Sequence, residues 1–387
     1  MQKRTPLEAW SCRVCRALHW LRGSTTHSRS LNRAPCDHPG VPLTRLLALL
    51  AVLLLAAPAW AADPPTLLVD ASWPKPLPHG WVLGEVSGIA TDERDHVWII
   101  QRSSLGPAAA PPVIEFDPEG RVVQGWGGPG QGYDWVANGH GIHVDSDGFI
   151  WIAGNGTADG QVLKFSRNGK FVLQIGHPGI AVDSGDVTKL SRPTDMQVDP
   201  VARELYVADG YGNHRVIVFD ADTGAYKRQW GAYGSRPTDR RITYDPKAAP
   251  ARQFGNPVHC VKLSHDGLVY VCDRKNDRIQ VFRHDGGFVA EWFIKPATRG
   301  LGSVWDLAFS PDPAQSFLYN ADGINDEVRI LRRADGVVVG TFGHPGRRPG
   351  EFHWVHSIAV DSHGDVFTTE VDKANRVQKF APVLSTR

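Results

Sequence analysis

Short runs of alternating apolar and polar residues, paired across tight polar turns, fill the chain from residue 66 to residue 381. The clearest is Asn138-Gly-His-Gly-Ile-His-Val-Asp-Ser-Asp-Gly-Phe-Ile-Trp-Ile-Ala-Gly154. Ile142, Val144, Ile150 and Ile152 bracket the turn Asp145-Ser-Asp-Gly148, the signature of a β-hairpin with one buried face.

The same register recurs at six heads: Val86-Ser-Gly-Ile, Gly139-His-Gly-Ile, Pro193-Thr-Asp-Met, Val258-His-Cys-Val, Val304-Trp-Asp-Leu and Val355-His-Ser-Ile. Their starts lie 53, 54, 65, 46 and 51 residues apart, near the ~40–50 residues of a four-stranded propeller blade. Third strands follow at Val162–Phe165, Arg215–Phe219, Arg278–Phe282, Val328–Leu331 and Arg376–Phe380, and fourth strands commonly end in Trp-Gly or Phe-Gly. These repeats predict an all-β, six-bladed β-propeller over 66–381, with a short tail at 382–387. The last blade runs out of chain before a fourth strand, so Thr66–Val69 is expected to supply it and close the ring. The Arg- and Pro-rich stretch 235–254 reads as a loop inserted on one face.

Residues 1–61 have a different character. Arg45, the apolar run Leu46–Ala57 and Ala59-Trp-Ala61 have the three parts of a secretory signal, with cleavage expected after Ala61 and a periplasmic or secreted product. The apolar run is short of the ~20 residues that span a bilayer, so no permanent membrane anchor is expected. Residues 1–40 read either as untranslated upstream codons or as a long basic n-region.

This leader holds eight of the 42 Lys and Arg but only two of the 41 acidic residues, leaving 34 bases against 39 acids and a net charge of −5. That balance argues against nucleic acid as a partner. Cys12, Cys15 and Cys36 leave with the leader, and Cys12-x-x-Cys15 has no second pair to complete a metal site. Cys260 and Cys272 remain on adjacent predicted strands, as a disulfide or as two buried thiols.

Candidate chemistry lies at the second position of the heads, occupied by Ser87, His140, Thr194, His259, Trp305 and His356. Histidines stand in blades two, four and six. If the heads begin the innermost strands, the three imidazoles converge near the axis and leave a fourth position open, which is how a protein holds a catalytic Zn²⁺. His143 and His353 lie beside this pattern and face elsewhere by strand alternation. In an antiparallel pair the second strand ends where the first begins, so Arg102, Tyr211 and Arg274 share a face with the histidines. An arginine fork suits a carboxylate, and a phenol among cations suits a base.

These residues resemble the lyase domain of peptidylglycine α-amidation, a six-bladed propeller of NHL-type repeats. The similarity covers most of 80–381. It is carried by Val86-Ser-Gly-Ile with Arg102, His140-Gly-Ile-His-Val-Asp145, Pro193-Thr-Asp195 with Ala208-Asp-Gly-Tyr211 and Asn213-His-Arg215, His259 with Asp273-Arg274, and Val355-His356. The resemblance implies that His140, His259 and His356 bind zinc, that Tyr211 is the base, and that Arg102 and Arg274 hold substrate and stabilise developing charge. It implies cleavage of the C–N bond of a peptidyl-α-hydroxyglycine to an amide and glyoxylate, by a monomer acting on a small or peptide carbinolamide. It also implies an axial calcium on the backbone carbonyls of Ile89 and Ile142 and an Asp after the third histidine. Ser357, a neutral and weaker ligand, stands at that last position. The half-cystine the family places beside the tyrosine is Gly212 here.

Two other readings compete. A propeller hydrolase of the lactonase type would hold calcium by acidic and amide side chains, against which an all-histidine set speaks. A non-catalytic NHL binding module would bind no metal and need neither Tyr211 nor Arg274.

Overall fold

The computed structural model describes residues 63–102, 108–179, 181–298 and 300–383. The signal-like leader and its three cysteines lie outside the described residues.

Six four-stranded antiparallel sheets follow one another, five of them built wholly in chain order from the inner strand outwards and the sixth completed by the first strand of the fold. The inner strands are Glu85–Thr91, Gly139–Val144, Pro193–Asp199, Val258–Leu263, Asp306–Phe309 and Val355–Val360. Each inner strand packs on the next and the last on the first, so the fold is a six-bladed β-propeller. The ring closes as the repeats predict: Leu67–Val69 pairs antiparallel with Val377–Pro382, Leu67 opposite Pro382 and Val69 opposite Phe380.

Hydrophobic burial is divided among the seams. One cluster joins Trp98, Ile100 and Val113 of blade one to Ile142, Ile150 and Ile152 of blade two. Another joins Ile217 and Phe219 of blade three to Trp151 and Val162 of blade two. The closing seam sets Phe367 and Val377 against Ile89, Ile99 and Ile114. An isolated sheet would leave both faces wet, so each blade is stable only between neighbours.

Local locks repeat as well. In the hairpin of blade two, Asp145 accepts from the backbone N–H of Asp147 and Phe149, and its second oxygen accepts from the Trp151 indole at 2.8 Å. Blade one uses Asp92 and Trp98 in the same way, at 3.0 Å. An acidic residue ending the second strand meets an arginine opening the third: Asp209 with Arg215 at 2.8 Å and Asp273 with Arg278 at 2.7 Å, all four fully buried. Asp322 with Arg329 and Glu370 with Arg376 repeat the pair.

Two expectations are resolved in detail. Cys260 and Cys272 form a disulfide that ties the inner strand of blade four to its neighbour. In blade five the inner strand begins at Asp306, not Val304; the Trp305 N–H still donates to the Ala321 carbonyl at 3.0 Å, and its indole donates to the Gly302 carbonyl at 2.7 Å. The 235–254 stretch carries no strand, and it is tied down by Ser184 to Asp239 and by the Tyr244 hydroxyl donating to the Pro296 carbonyl at 2.7 Å.

Removing one partner of a fully buried ion pair strands the other charge. Arg278→Ala is expected to lower the unfolding free energy by about 3–5 kcal/mol in urea titrations, and Asp273→Asn combined with Arg278→Met to cost less than that single change.

Candidate metal centre on the propeller axis

The geometry of the heads starts with a break in the strands. The pairing of inner and second strands shifts register between Gly139 and Ile142, between Val258 and Val261, and between Val355 and Ser357. Such bulges re-aim side chains that the pleat would otherwise alternate. Here they bring His140, His259 and His356 together, with ring centroids 4.8, 4.8 and 4.9 Å apart. Close approach needs Gly141, where a β-carbon would meet the Thr194 carbonyl at 2.4 Å.

Each imidazole is oriented by the next blade. His140 Nδ1 lies 2.8 Å from the Thr194 carbonyl, His356 Nδ1 lies 2.7 Å from the Ser87 carbonyl, and His259 Nδ1 bonds the Trp305 carbonyl. A carbonyl only accepts, so each Nδ1 carries the proton and each Nε2 keeps its lone pair. Thr194, Trp305 and Ser87 are the non-histidine heads, so all six equivalent positions take part. Ser87 Oγ and Thr194 Oγ1 each donate, at 2.8 Å, to the carbonyl just before the following histidine, Gly139 and Val258.

All three rings are buried, and Nε2 of His140 and of His259 has no hydrogen-bond partner. One ligand atom from each of the three residues falls within 4.8 Å of the others. Burial drives all three well below the ordinary imidazole range. Arg102, Arg274 and Arg192 add to the shift of His140, Arg274 and the other two imidazoles to that of His259, and His140, Arg102 and Arg274 to that of His356. Three neutral imidazoles with converging lone pairs, each held through its other nitrogen, fit a divalent metal that favours nitrogen.

Tyr211 stands over this triad, its ring 5.3 Å from His140 and 5.9 Å from His259. Arg274 Nη1 donates to the Tyr211 hydroxyl at 3.1 Å, and its guanidinium lies 4.4 Å from the Trp305 ring centroid. Arg274 is buried, which works against its charge, while the Tyr211 oxygen favours it. Arg102 is placed differently: Nη1 pairs with Glu85 at 2.7 Å and Nε donates to the Gly139 carbonyl at 3.3 Å. Gly212 backs directly on Ser191, whose Oγ would lie 1.9 Å from a β-carbon there. His143 accepts from the Val198 N–H at 3.2 Å, and His353 bonds Asp372 at 3.0 Å; neither belongs to the triad.

Two residues of this region are absent from the expectations drawn from the repeats. Arg192 lies with its guanidinium 5.3 Å from the Tyr211 ring centroid. Lys262, on the inner strand of blade four, bridges the blades on either side of it, with Nζ 2.9 Å from Asp195 and 3.0 Å from Asp306. Asp195, Asp306 and Ser357 line one narrow cavity with the three histidines and Ile142, and Ser357 Oγ donates to Asp306 at 2.5 Å. Where the resemblance implies calcium, the two carboxylates already share the Lys262 ammonium and the serine hydroxyl is engaged with Asp306, so no calcium enters the reading below.

The NHL repeat family model matches residues 190–219. Peptidyl-glycine alpha-amidating monooxygenase B of Xenopus laevis is 29% identical over 338 residues, covering 81% of this chain and 35% of that protein. The probable peptidyl-alpha-hydroxyglycine alpha-amidating lyase pgal-1 of Caenorhabditis elegans is 26% identical over 314 residues, covering 75% of this chain and 81% of that one. The chain is similar to proteins named as α-amidating lyases. Human NHL repeat-containing protein 3 is also similar, 28% identical over 349 residues, covering 85% of this chain and 88% of its own length. The chain spans about a third of the length of the monooxygenases that it matches.

Lys262 offers a test of the axis. Lys262→Met leaves buried Asp195 and Asp306 without a cation, a loss of about 3–5 kcal/mol at neutral pH. Burial, with Asp306 opposing ionisation, already raises Asp195 to about 6 against Lys262, from an ordinary 3.8. A carboxyl raised on folding penalises the folded state above its folded value, and the penalty fades as pH falls through about 6 towards 3.8. The deficit of the variant, measured by urea unfolding, is therefore expected to be smaller at about pH 5 than at about pH 8.

Proposed function

We propose that the protein is an exported, zinc-dependent lyase that cleaves the C–N bond of an N-acyl-α-hydroxyglycine, releasing a primary amide and glyoxylate. The observation that carries this reading is the buried triad of neutral imidazoles with inward lone pairs, set under a tyrosine that accepts from a buried arginine. Homology to proteins named α-amidating lyases supports it, and the secretory-type leader and the disulfide support export.

His140, His259 and His356 would hold the zinc, which when bound supplies Lewis acidity towards a hydroxyl oxygen. The chain's own groups account for the proton and the electron pair. The Tyr211 oxygen takes the proton of the substrate hydroxyl as general base, with Arg274 stabilising negative charge on that oxygen through their 3.1 Å contact. The freed electron pair forms the aldehyde C=O, the C–N bond breaks with its pair moving to nitrogen, and nitrogen takes up the proton from Tyr211. Substrate equals amide plus glyoxylate, so no oxidant or reductant is required.

The mature protein is expected to contain one zinc and to release glyoxylate from an N-acyl-α-hydroxyglycine. His259→Ala should lose both metal and activity, whereas Tyr211→Phe should keep the metal and lower kcat by roughly 10²–10⁴-fold. A wild type without metal, or one indistinguishable from His259→Ala, would overturn the proposal in favour of a non-catalytic propeller. Because each imidazole sits well below its ordinary value, proton competition begins only in stronger acid. Metal content after dialysis at about pH 6 should therefore match that at about pH 8.

A further inference from the structure

Three guanidinium groups surround the triad, and their partners differ. Arg102 is paired with Glu85, and Arg274 is committed to the Tyr211 hydroxyl and the Trp305 ring. Arg192 has no carboxylate within ion-pair reach among the described residues, and its Nη1 and Nη2 have no protein hydrogen-bond partner there.

Its position is nevertheless fixed. Arg192 holds a left-handed φ of 57°, which a residue with a β-carbon adopts at a cost on the order of 1 kcal/mol. Three hydrogen bonds hold it in that conformation. Its N–H donates to the Asp159 carbonyl at 2.7 Å, its own carbonyl accepts from the Tyr211 N–H at 3.3 Å, and Nε donates to the Asn155 carbonyl at 2.9 Å. With Nε engaged, the two terminal nitrogens form a fork beside Tyr211, half-buried and close enough to His140 to disfavour its protonation. A guanidinium positioned at a functional site and left without an anion matches a planar carboxylate bidentately.

We propose that Arg192 is the residue that binds the substrate carboxylate, making this site selective for α-hydroxy-α-amido acids over their neutral esters and amides. The inference rests on the lyase reading above. It places on Arg192 the anchoring role that the resemblance gives to Arg102, whose charge is already balanced by Glu85. The carboxylate passes unchanged into glyoxylate, so Arg192 binds and orients and takes no part in proton transfer.

The test compares an N-acyl-α-hydroxyglycine with its carboxamide, and measures binding of the unreactive N-acylglycine by calorimetry. For the wild type, the free acid should have a KM at least about tenfold below that of the carboxamide. Arg192→Gln should raise KM for the acid by about tenfold or more, with a smaller change in kcat, shift the carboxamide by less than about twofold, and weaken N-acylglycine binding in parallel. Arg192→Lys, which keeps the charge and loses the fork, should recover part of the loss. Equal effects on acid and carboxamide, or N-acylglycine binding indifferent to Arg192, would overturn the inference. If the wild type releases no glyoxylate yet binds N-acylglycine through Arg192, the lyase reading falls while the carboxylate site stands. Zinc content and circular dichroism of both variants separate loss of the contact from loss of the fold.

Discussion

The histidine triad depends on hydrogen bonds that cross from one blade to the next. A bare imidazole in a buried cavity can rotate about its χ2 and exchange tautomers, and either change would turn its lone pair away from the axis. The carbonyls of Thr194, Trp305 and Ser87 prevent both by accepting from Nδ1. Since each carbonyl belongs to the neighbouring blade, the site exists only when the seams are packed. The hydrophobic clusters that join the blades and the orientation of the ligating nitrogens are thus one structural requirement.

Electrostatics act in two layers along the axis. Above, Arg102, Arg192 and Arg274 make protonation of the histidines unfavourable and leave a surplus of positive charge over Glu85, an environment suited to an anion. Below, Lys262 of blade four lies between carboxylates from blades three and five, so three inner strands are held together by an ion triad as well as by apolar contact. The arginine layer leaves the guanidinium of Arg192 without a carboxylate partner among the described residues, whereas the lysine is engaged by both of its aspartates.

Much of this was readable from the chain, because a fixed register makes equivalent positions meet. The six heads located the strands that surround the axis, and histidine in every second head is a pattern of residue types. What escaped the reading is carried by backbone or by residues outside the repeat. The carbonyls that orient the histidines have no side-chain signature, and the hydroxyl that Ser87 and Thr194 share is missing from Trp305. Arg192 precedes a head and shows itself only through its left-handed backbone. Lys262, in Val-Lys-Leu, looks like the wet position of an amphipathic strand, but on an inner blade edge that position faces two aspartates. The inner strand of blade five is shorter than its repeat register suggests, and the Trp305 indole bond to Gly302 beside it is one that no alternation pattern encodes.

The strict exchange of roles around the ring, imidazole on one blade and carbonyl on the next, is a matter of parity. A ring with an odd number of blades would bring two donors or two acceptors together at one seam, so this arrangement requires an even count. The unit that regenerates the site is therefore a pair of blades.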